Sequence, residues 1–326
     1  MRQVARSTCW RFPMFNFIIR RIWQMVPTMF GVMLLVFVLF NWVGGDPTYI
    51  LAGKRLTPEM LLNIRAQLGL DKSLPEQFWL FVKQVAAFDF GTSWSTQQSV
   101  SATLASRIGP SLTLTGTLLV FELLTALPIA IVVAYYRGTL TDRMVTLICT
   151  VAMSISSLAY IIVGQYLLAF KLDWFPVMGW DDGSLLRSLL IYVPLPLILG
   201  MLVSLAPNVR FYRSFVVEEL GHDYVRTARA KGLSEKTVLF KHVLRNALIP
   251  VVTAVMMSLP FLVLGSMLLE RFFGIPGMGN ELLMAVDKSD FPVIKAITVT
   301  IAAAAMVFNL LADIIYKWID PRVQLK

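Results

Sequence analysis

From Ile22 to Val43 the chain runs for 22 residues without one charged side chain, and that feature narrows the folds open to it. The hydrocarbon core of a bilayer is about 30 Å thick, and a helix rising about 1.5 Å per residue crosses it in about 20 residues. Inside lipid the backbone must satisfy its own polar groups, so an apolar run of this length reads as a transmembrane helix. Five further runs follow, at Pro110–Tyr136, Met144–Phe170, Leu185–Pro207, Ala247–Leu269 and Phe291–Tyr316, each set off by polar or glycine-rich punctuation. The expected fold class is all-α, a membrane protein of six transmembrane helices. Composition agrees: 57% of residues are hydrophobic and 15% charged, where a soluble domain carries about a quarter charged.

A net charge of +9 could point to nucleic acid, but in membrane proteins basic residues collect in cytoplasmic loops. Of the 29 Lys and Arg residues, 18 lie in residues 1–21, 137–143, 207–246 and 317–326. Much of the remainder lies in residues 44–109, a segment long enough to weigh little in that rule. Both termini are therefore expected in the cytoplasm. The resulting organisation is a cytoplasmic N-terminal segment (1–21), helix one (22–43), an outer helical segment (44–109), helices two to six (110–316) with a cytoplasmic loop at 207–246, and a cytoplasmic tail (317–326). The first apolar run exceeds the h-region of about 7–15 residues of a signal peptide, and "NWVGGDP" offers no small-x-small cleavage site, so a retained span is expected. Met14 is a second candidate start, since Arg20 and Arg21 already supply a positive flank.

In the outer segment, Thr57-Pro58-Glu59 reads as a helix start, followed by an apolar stripe of Leu61, Leu62, Ile64 and Leu68 that ends at Gly69. A second helix is expected from Pro75-Glu76, carrying Phe78, Trp79, Phe81, Val82 and Val85. These two helices would form a cap, either as a packing layer or as a docking site. The glycine- and proline-rich "FFGIPGMGN" (Phe272–Asn280) reads as a turn between spans five and six, or as part of a gate.

The most polar stretch between spans is "HDYVRTARAKGLSEKTVLFKHVLRNALIP", His222 to Pro250. Gly221 breaks the preceding segment, Asp223 can cap a helix, and Tyr224–Lys231 suits one short helix ending at Gly232. Ser234 can cap a second, with Val238, Leu239, Val243 and Leu244 at helical spacing and Lys241 and Arg245 on its polar face. Such a helix-turn-helix beneath a bundle could fix topology or dock a cytoplasmic partner. Flanked so closely by two spans, it could not easily follow a DNA groove.

Ionisable residues inside spans are functional candidates. Glu122 is the clearest: it either faces a translocation path and meets a substrate ammonium, or makes a helix-packing hydrogen bond. Lys295 and Asp313 lie near the ends of span six, where snorkelling to the interface is expected. Pro128, Pro194, Pro196, Gly200, Pro250 and Pro260 can kink spans. Cys9, Cys149, His222 and His242 have no metal-site spacing, no phosphate-binding G-x-x-x-x-G-K-[ST] occurs, and no nucleophile, acid and base constellation stands out.

The segments "IRRIWQMVPTMFGVMLLVF", "GGDP", "LGLDKSLPEQF", "DFGTSW", "DYVRTARAKGLSEKTVLFKHVLRNALIPV", "FGIPGMGNELLMAV", "DFPVI" and "IIYKWIDPR" resemble, in this order, the inner-membrane permease subunits of binding-protein-dependent ABC importers, specifically the first permease of the dipeptide and oligopeptide branch. The resemblance covers nearly the whole chain from Met14. It implies a MetI-like permease fold in the bacterial inner membrane and translocation of dipeptides or oligopeptides, while related members carry nickel or glutathione. The implied partners are a second homologous permease, two ATP-binding subunits, a periplasmic substrate-binding protein, the peptide and membrane lipid, with no nucleic acid. No cofactor is implied in this subunit, because ATP and Mg belong to the ATPase partners, and the subunit itself is not an enzyme.

The resemblance also implies that Tyr224, Val225, Arg226, Thr227, Ala228, Arg229, Ala230, Lys231, Gly232 and Leu233 form a coupling helix that docks on an ATPase. The general importer pattern has Glu-Ala-Ala, then Gly, then Ile-x-Leu-Pro. Here Arg226 stands where the Glu would, and His242, Leu244 and Arg245 lie near the far end, departures that the peptide branch shares. Ala228 and Ala230 would keep the helix slim enough for a groove, Arg226, Arg229 and Lys231 would supply charge, and Gly232 would permit a sharp exit. A secondary transporter is the competing class, but inverted repeats with interrupted helices and midplane ion ligands are not evident.

Overall fold

The computed structural model describes residues 11–42 and 71–319. The helix expected at Thr57–Gly69 lies outside the described residues. Among those described, five helices are long and apolar enough to cross a membrane, and a bent pair brings the number to six if it counts as one span. Large apolar side chains such as Trp23 and Leu35 are exposed along these helices, as expected where lipid replaces water as the solvent.

The chain divides into two compact units, one of residues 1–106 with 281–326 and one of residues 107–280. In the first, α1 (Arg11–Trp42) packs against α11 (Phe291–Ile319), and α2 (Leu74–Ala86) lies on α1. Pro75 stands in the first turn of α2 and the Ser73 amide donates to Glu76 at 3.2 Å, a start of the kind that Ser-x-x-Glu favours. Phe78, Phe81 and Val85 share one face of α2. Phe81 and Val85 are buried with Met33, Val36 and Phe37 of α1 and Val299 of α11, and the Phe78 ring meets Phe30 and Phe37 edge-on at 5.2 and 5.3 Å.

Both charges expected to snorkel from span six are held within the protein. Asp313 pairs with Arg21 at 3.0 Å, and Lys295 sits 5.6 Å and 5.9 Å from the ring centres of Phe40 and Phe81, where ring faces attract a cation. Just before α11, Asp290 is almost wholly buried. Its carboxylate accepts from Ser93 Oγ at 2.5 Å and from the amides of Trp94 and Ser95 at 3.2 and 3.1 Å, and so fixes the turn of residues 93–96.

The second unit holds the rest of α3 (Val100–Tyr135), α4 (Leu140–Met153), α5 (Ser157–Gly164, continued by a π-helical turn at Gln165–Lys171), α6 (Pro194–Leu220), α7 (Asp223–Ala230), α8 (Leu244–Leu264) and α9 (Met267–Phe273), while α10 (Met278–Asp287) begins at its end. Buried residues of α6, including Leu195, Leu199, Ala206, Tyr212 and Val216, occupy most of its circumference, the pattern of a helix surrounded by others. α4, α5 and α8 pack on it.

Three spans differ from the sequence expectation. Leu185–Pro207 is not one helix: a short helix and a π-helical turn over residues 185–192 give way at Val193 to α6, which starts at Pro194 and runs on to Leu220. Met144–Phe170 is not one rod: α4 and α5 meet at 85° across Ser154-Ile155-Ser156. Ser156 is extended at the start of α5, and the carbonyl of Ala152 accepts from Tyr160 Oη at 3.0 Å and from the Ile155 amide at 3.3 Å. Ala247–Leu269 is also interrupted, since α8 ends at Leu264 and Gly265 takes φ 76° before α9.

Behind that break Glu270 is fully buried. It accepts from Ser111 Oγ at 2.7 Å and from the Asn280 amide at 2.9 Å, while Ser111 Oγ accepts from the Met278 amide at 2.7 Å. One carboxyl group thus ties α3 to both ends of the Phe272–Asn280 loop.

Two outcomes follow. Gly265→Ala forces a side chain into a left-handed position and against the Glu270 carboxyl, and should cost about 1–3 kcal/mol, read as a lower thermal midpoint of the detergent-purified protein. At Asp290 burial pushes the pKa up, but the Ser93 hydroxyl and the Ser95 and Trp94 amides together outweigh it and hold the carboxyl below its ordinary 3.8. Its stabilising contribution is therefore complete above the ordinary Asp range and is lost as pH falls through the lowered folded value. Asp290→Asn should speed amide exchange at Trp94 and Ser95 at neutral pH, and unchanged exchange would refute the clasp.

Candidate functional site

The loop between α6 and α8 is a compact folded element. Its short helix α7 is amphipathic: Val225 and Ala228 are buried, packed with Ile131 and Ala134 of α3, Val216 of α6 and Val238, Val243 and Ala247 of the following segment. Ala228 thus faces the chain's own core, not an outside groove. A small residue is needed there because α7 lies close against the ends of the spans. Tyr224, Arg226, Thr227, Arg229, Ala230 and Lys231 line the exposed side.

The helix stops where the sequence indicated. Gly232 takes φ 75°, its amide donates to Arg229 O at 2.9 Å and the Leu233 amide donates to Ala228 O at 3.3 Å. These are the paired bonds of a glycine-terminated helix end. Ser234 caps the next turn by accepting from the Thr237 amide at 3.4 Å. Val238–Val243 is then π-helical, a wider coil than the α-helix expected from spacing.

Charge on the outer face is largely balanced locally. Arg229 grips Glu235 through two bonds of 2.9 and 3.1 Å, and Arg226 reaches Asp223 at 3.4 Å. Lys231 has no carboxylate within ion-pair distance among the described residues. The exposed pairs are each worth about 0–1 kcal/mol, so an acidic partner could exchange for them at little cost. At the base of the loop, Tyr224 Oη donates to Glu219 and its ring stacks on His222 at 5.8 Å. Burial, and then the bond to Glu219, push the Tyr224 phenol pKa up.

Glu122 lies within the second unit on α3. Asn208 Nδ2 of α6 donates to its Oε1, a helix-packing bond within this chain, where the sequence reading weighed one within a permease pair. The same side chain borders an open cavity of about 410 Å³ lined by α3, α6 and α8, with Asn208, Tyr212, Ser258 and Phe261 also in its wall. The single hydroxyl hydrogen of Thr115, also in the wall, is shared between Ser111 O at 2.6 Å and Leu262 O at 3.1 Å. Asn208 and the cavity were not legible beforehand. Their only sequence signal is a polar amide within the apolar stretch after Leu205.

Comparison with known proteins gives the geometry a context. Residues 126–325 match the family described as "Binding-protein-dependent transport system inner membrane component", and residues 14–115 match its N-terminal segment family. The chain is 36% identical over 313 residues to the glutathione transport system permease protein GsiC of Escherichia coli (strain K12), covering 96% of this chain and all of that protein. The namesake proteins of Salmonella typhimurium (strain LT2) and Shigella flexneri serotype 5b are also 36% identical, over 313 and 316 residues, with the same coverage. With both family segments matched in order and near-complete coverage at that identity, the chain belongs to the inner-membrane components of binding-protein-dependent transport systems and is a non-catalytic permease subunit of an ABC importer.

Proposed function

We propose that this permease forms part of the path by which short peptides cross the inner membrane, with glutathione, a modified tripeptide, as the first candidate substrate. A second homologous permease completes the path, a periplasmic binding protein delivers the substrate, and two ATPase subunits that bind ATP and Mg supply the energy. Both termini and the loop at 207–246 face the cytoplasm. Glutathione ranks first because the relatives named above are glutathione permeases. Other short peptides remain in the same chemical class.

The observation that carries the coupling role is the two-faced build of α7. Its inner residues, Val225 and Ala228, are packed among the ends of α3, α6 and α8, while its outer side is exposed, basic and small at Ala230. A helix gripped in this way transmits displacement, because packed side chains rearrange between discrete states and do not deform continuously. An ATPase that seats Arg226, Arg229, Ala230, Lys231 and Leu233 in a groove moves α7, and α7 moves the spans packed on it. The switch between inward-open and outward-open forms then follows from the difference in contacts that ATP-bound and ATP-free ATPases make with this face.

Affinity purification of the tagged subunit in mild detergent should recover a second six-span permease and ATPase chains. Recovery of this chain alone, active in uptake that collapses with the proton gradient and survives ATP depletion, would refute the reading. Ala230→Trp enlarges the exposed face and should lower binding-protein-stimulated ATP hydrolysis at least tenfold with the spans still inserted. Gly232→Pro cannot adopt φ 75° and lacks the amide that donates to Arg229 O, so it should abolish coupling. Ala228→Trp should instead act within the chain, overpacking the core at about 1–3 kcal/mol and loosening the loop in hydrogen exchange. Normal stimulated hydrolysis in Ala230→Trp would exclude α7 as the docking element.

A further inference from the structure

Taken as part of the permease path proposed above, the cavity between α3, α6 and α8 acquires a specific ligand chemistry. Its volume of about 410 Å³ falls in the range of about 300–1,000 Å³ typical of small-molecule sites. Its wall contains one ionisable acid, Glu122, and no Lys, Arg or His. Three aromatic rings, Phe211, Tyr212 and Phe261, share that wall.

Glu122 is only 9% exposed and sits well inside a span of 36 residues. The hydrogen bond from the Asn208 amide holds the carboxyl in one orientation but brings no positive charge. A lone carboxylate in such surroundings is costly, and a cation entering the cavity would remove that cost. Aromatic faces attract ammonium groups, whereas a substrate carboxylate would meet Glu122 as a like charge. An inorganic cation fits less well, because it seeks about six oxygen ligands. Apart from Glu122 and Asn208 the wall offers only the hydroxyls of Thr115, Tyr212 and Ser258 and is otherwise mostly apolar, surroundings that suit an organic ammonium better than a bare ion.

We propose that this cavity is a membrane-embedded substrate subsite that takes the ammonium group of a short peptide, with Glu122 as its counter-ion and Asn208 as the residue that positions the carboxylate. The subsite lets the permease discriminate after the binding protein has released its cargo, so selection occurs twice along the path.

The test uses the intact importer with its binding protein in proteoliposomes. Uptake is measured for glutathione against its des-amino analogue, glutaryl-cysteinyl-glycine, and for Ala-Ala against propionyl-alanine, in wild type, Glu122→Gln and Glu122→Asp. The binding protein is the same throughout, so its own preference cancels when the amine-to-des-amino ratio of a variant is divided by that of wild type. Loss of one charge-assisted contact should lower that ratio about tenfold in Glu122→Gln, with Glu122→Asp recovering part of it. A ratio unchanged in Glu122→Gln overturns the subsite while leaving the importer reading intact. Absence of ATP-dependent uptake of any of these compounds by wild type overturns the peptide reading and the subsite with it. Equilibrium dialysis of the wild-type permease and ATPase complex, without binding protein, against labelled n-butylammonium and n-butyrate gives a readout independent of any variant. Saturable binding of the amine alone supports the proposal, and equal or absent binding of the two overturns it.

Discussion

A peptide N–H or C=O left without a partner in hydrocarbon costs several kcal/mol, and this cost governs where the chain can stop being helical. At three places in the second unit a carbonyl at or near an interruption accepts from a side chain brought in by the fold. Tyr160 covers the Ala152 carbonyl at the elbow between α4 and α5. Thr115 covers the Leu262 carbonyl near the end of α8. The Gln165 side-chain amide donates to the carbonyls of Val177 and Phe272 at 2.8 and 3.1 Å. At these places helix interruption and helix packing are parts of one event.

Proline placement illustrates the point. Pro128, Pro250 and Pro260 all lie inside continuous helices, although each removes a backbone donor. An 85° bend falls at Ser154-Ile155-Ser156, where no proline stands. Serine side chains compete for backbone partners and favour helix ends, and at this place the tertiary partner was available to accept the break. Glu270 applies the same principle outside the hydrogen-bond ladder: a single buried carboxyl, with Ser111 and the Asn280 amide, fastens a loop that contains many turn formers.

The loop at 207–246 and the cavity beside Glu122 share one body of packed helices, since α3 and α6 contribute to both. In the coupling role proposed for α7, its movement would reach the helices that carry Glu122 and Asn208 through direct packing, by way of the cluster around Val216, Val225 and Val238.

What the sequence by itself determined is whatever depends on local composition and spacing. The all-helical, membrane-spanning class follows from apolar length, the end of α7 follows from Gly232, whose missing side chain permits a left-handed turn, and the cap at Ser234 follows from its own hydroxyl. Tertiary structure decided which of the two α7 alanines faces inward, because Ala228 differs from Ala230 only in what the spans present to it. It also decided that Asp313 meets Arg21, that Lys295 lies against Phe40 and Phe81, and that Asn208 comes to Glu122 from 86 residues away along the chain. A polar side chain in an apolar run announces a partner, but only the packing of helices distant in sequence names it.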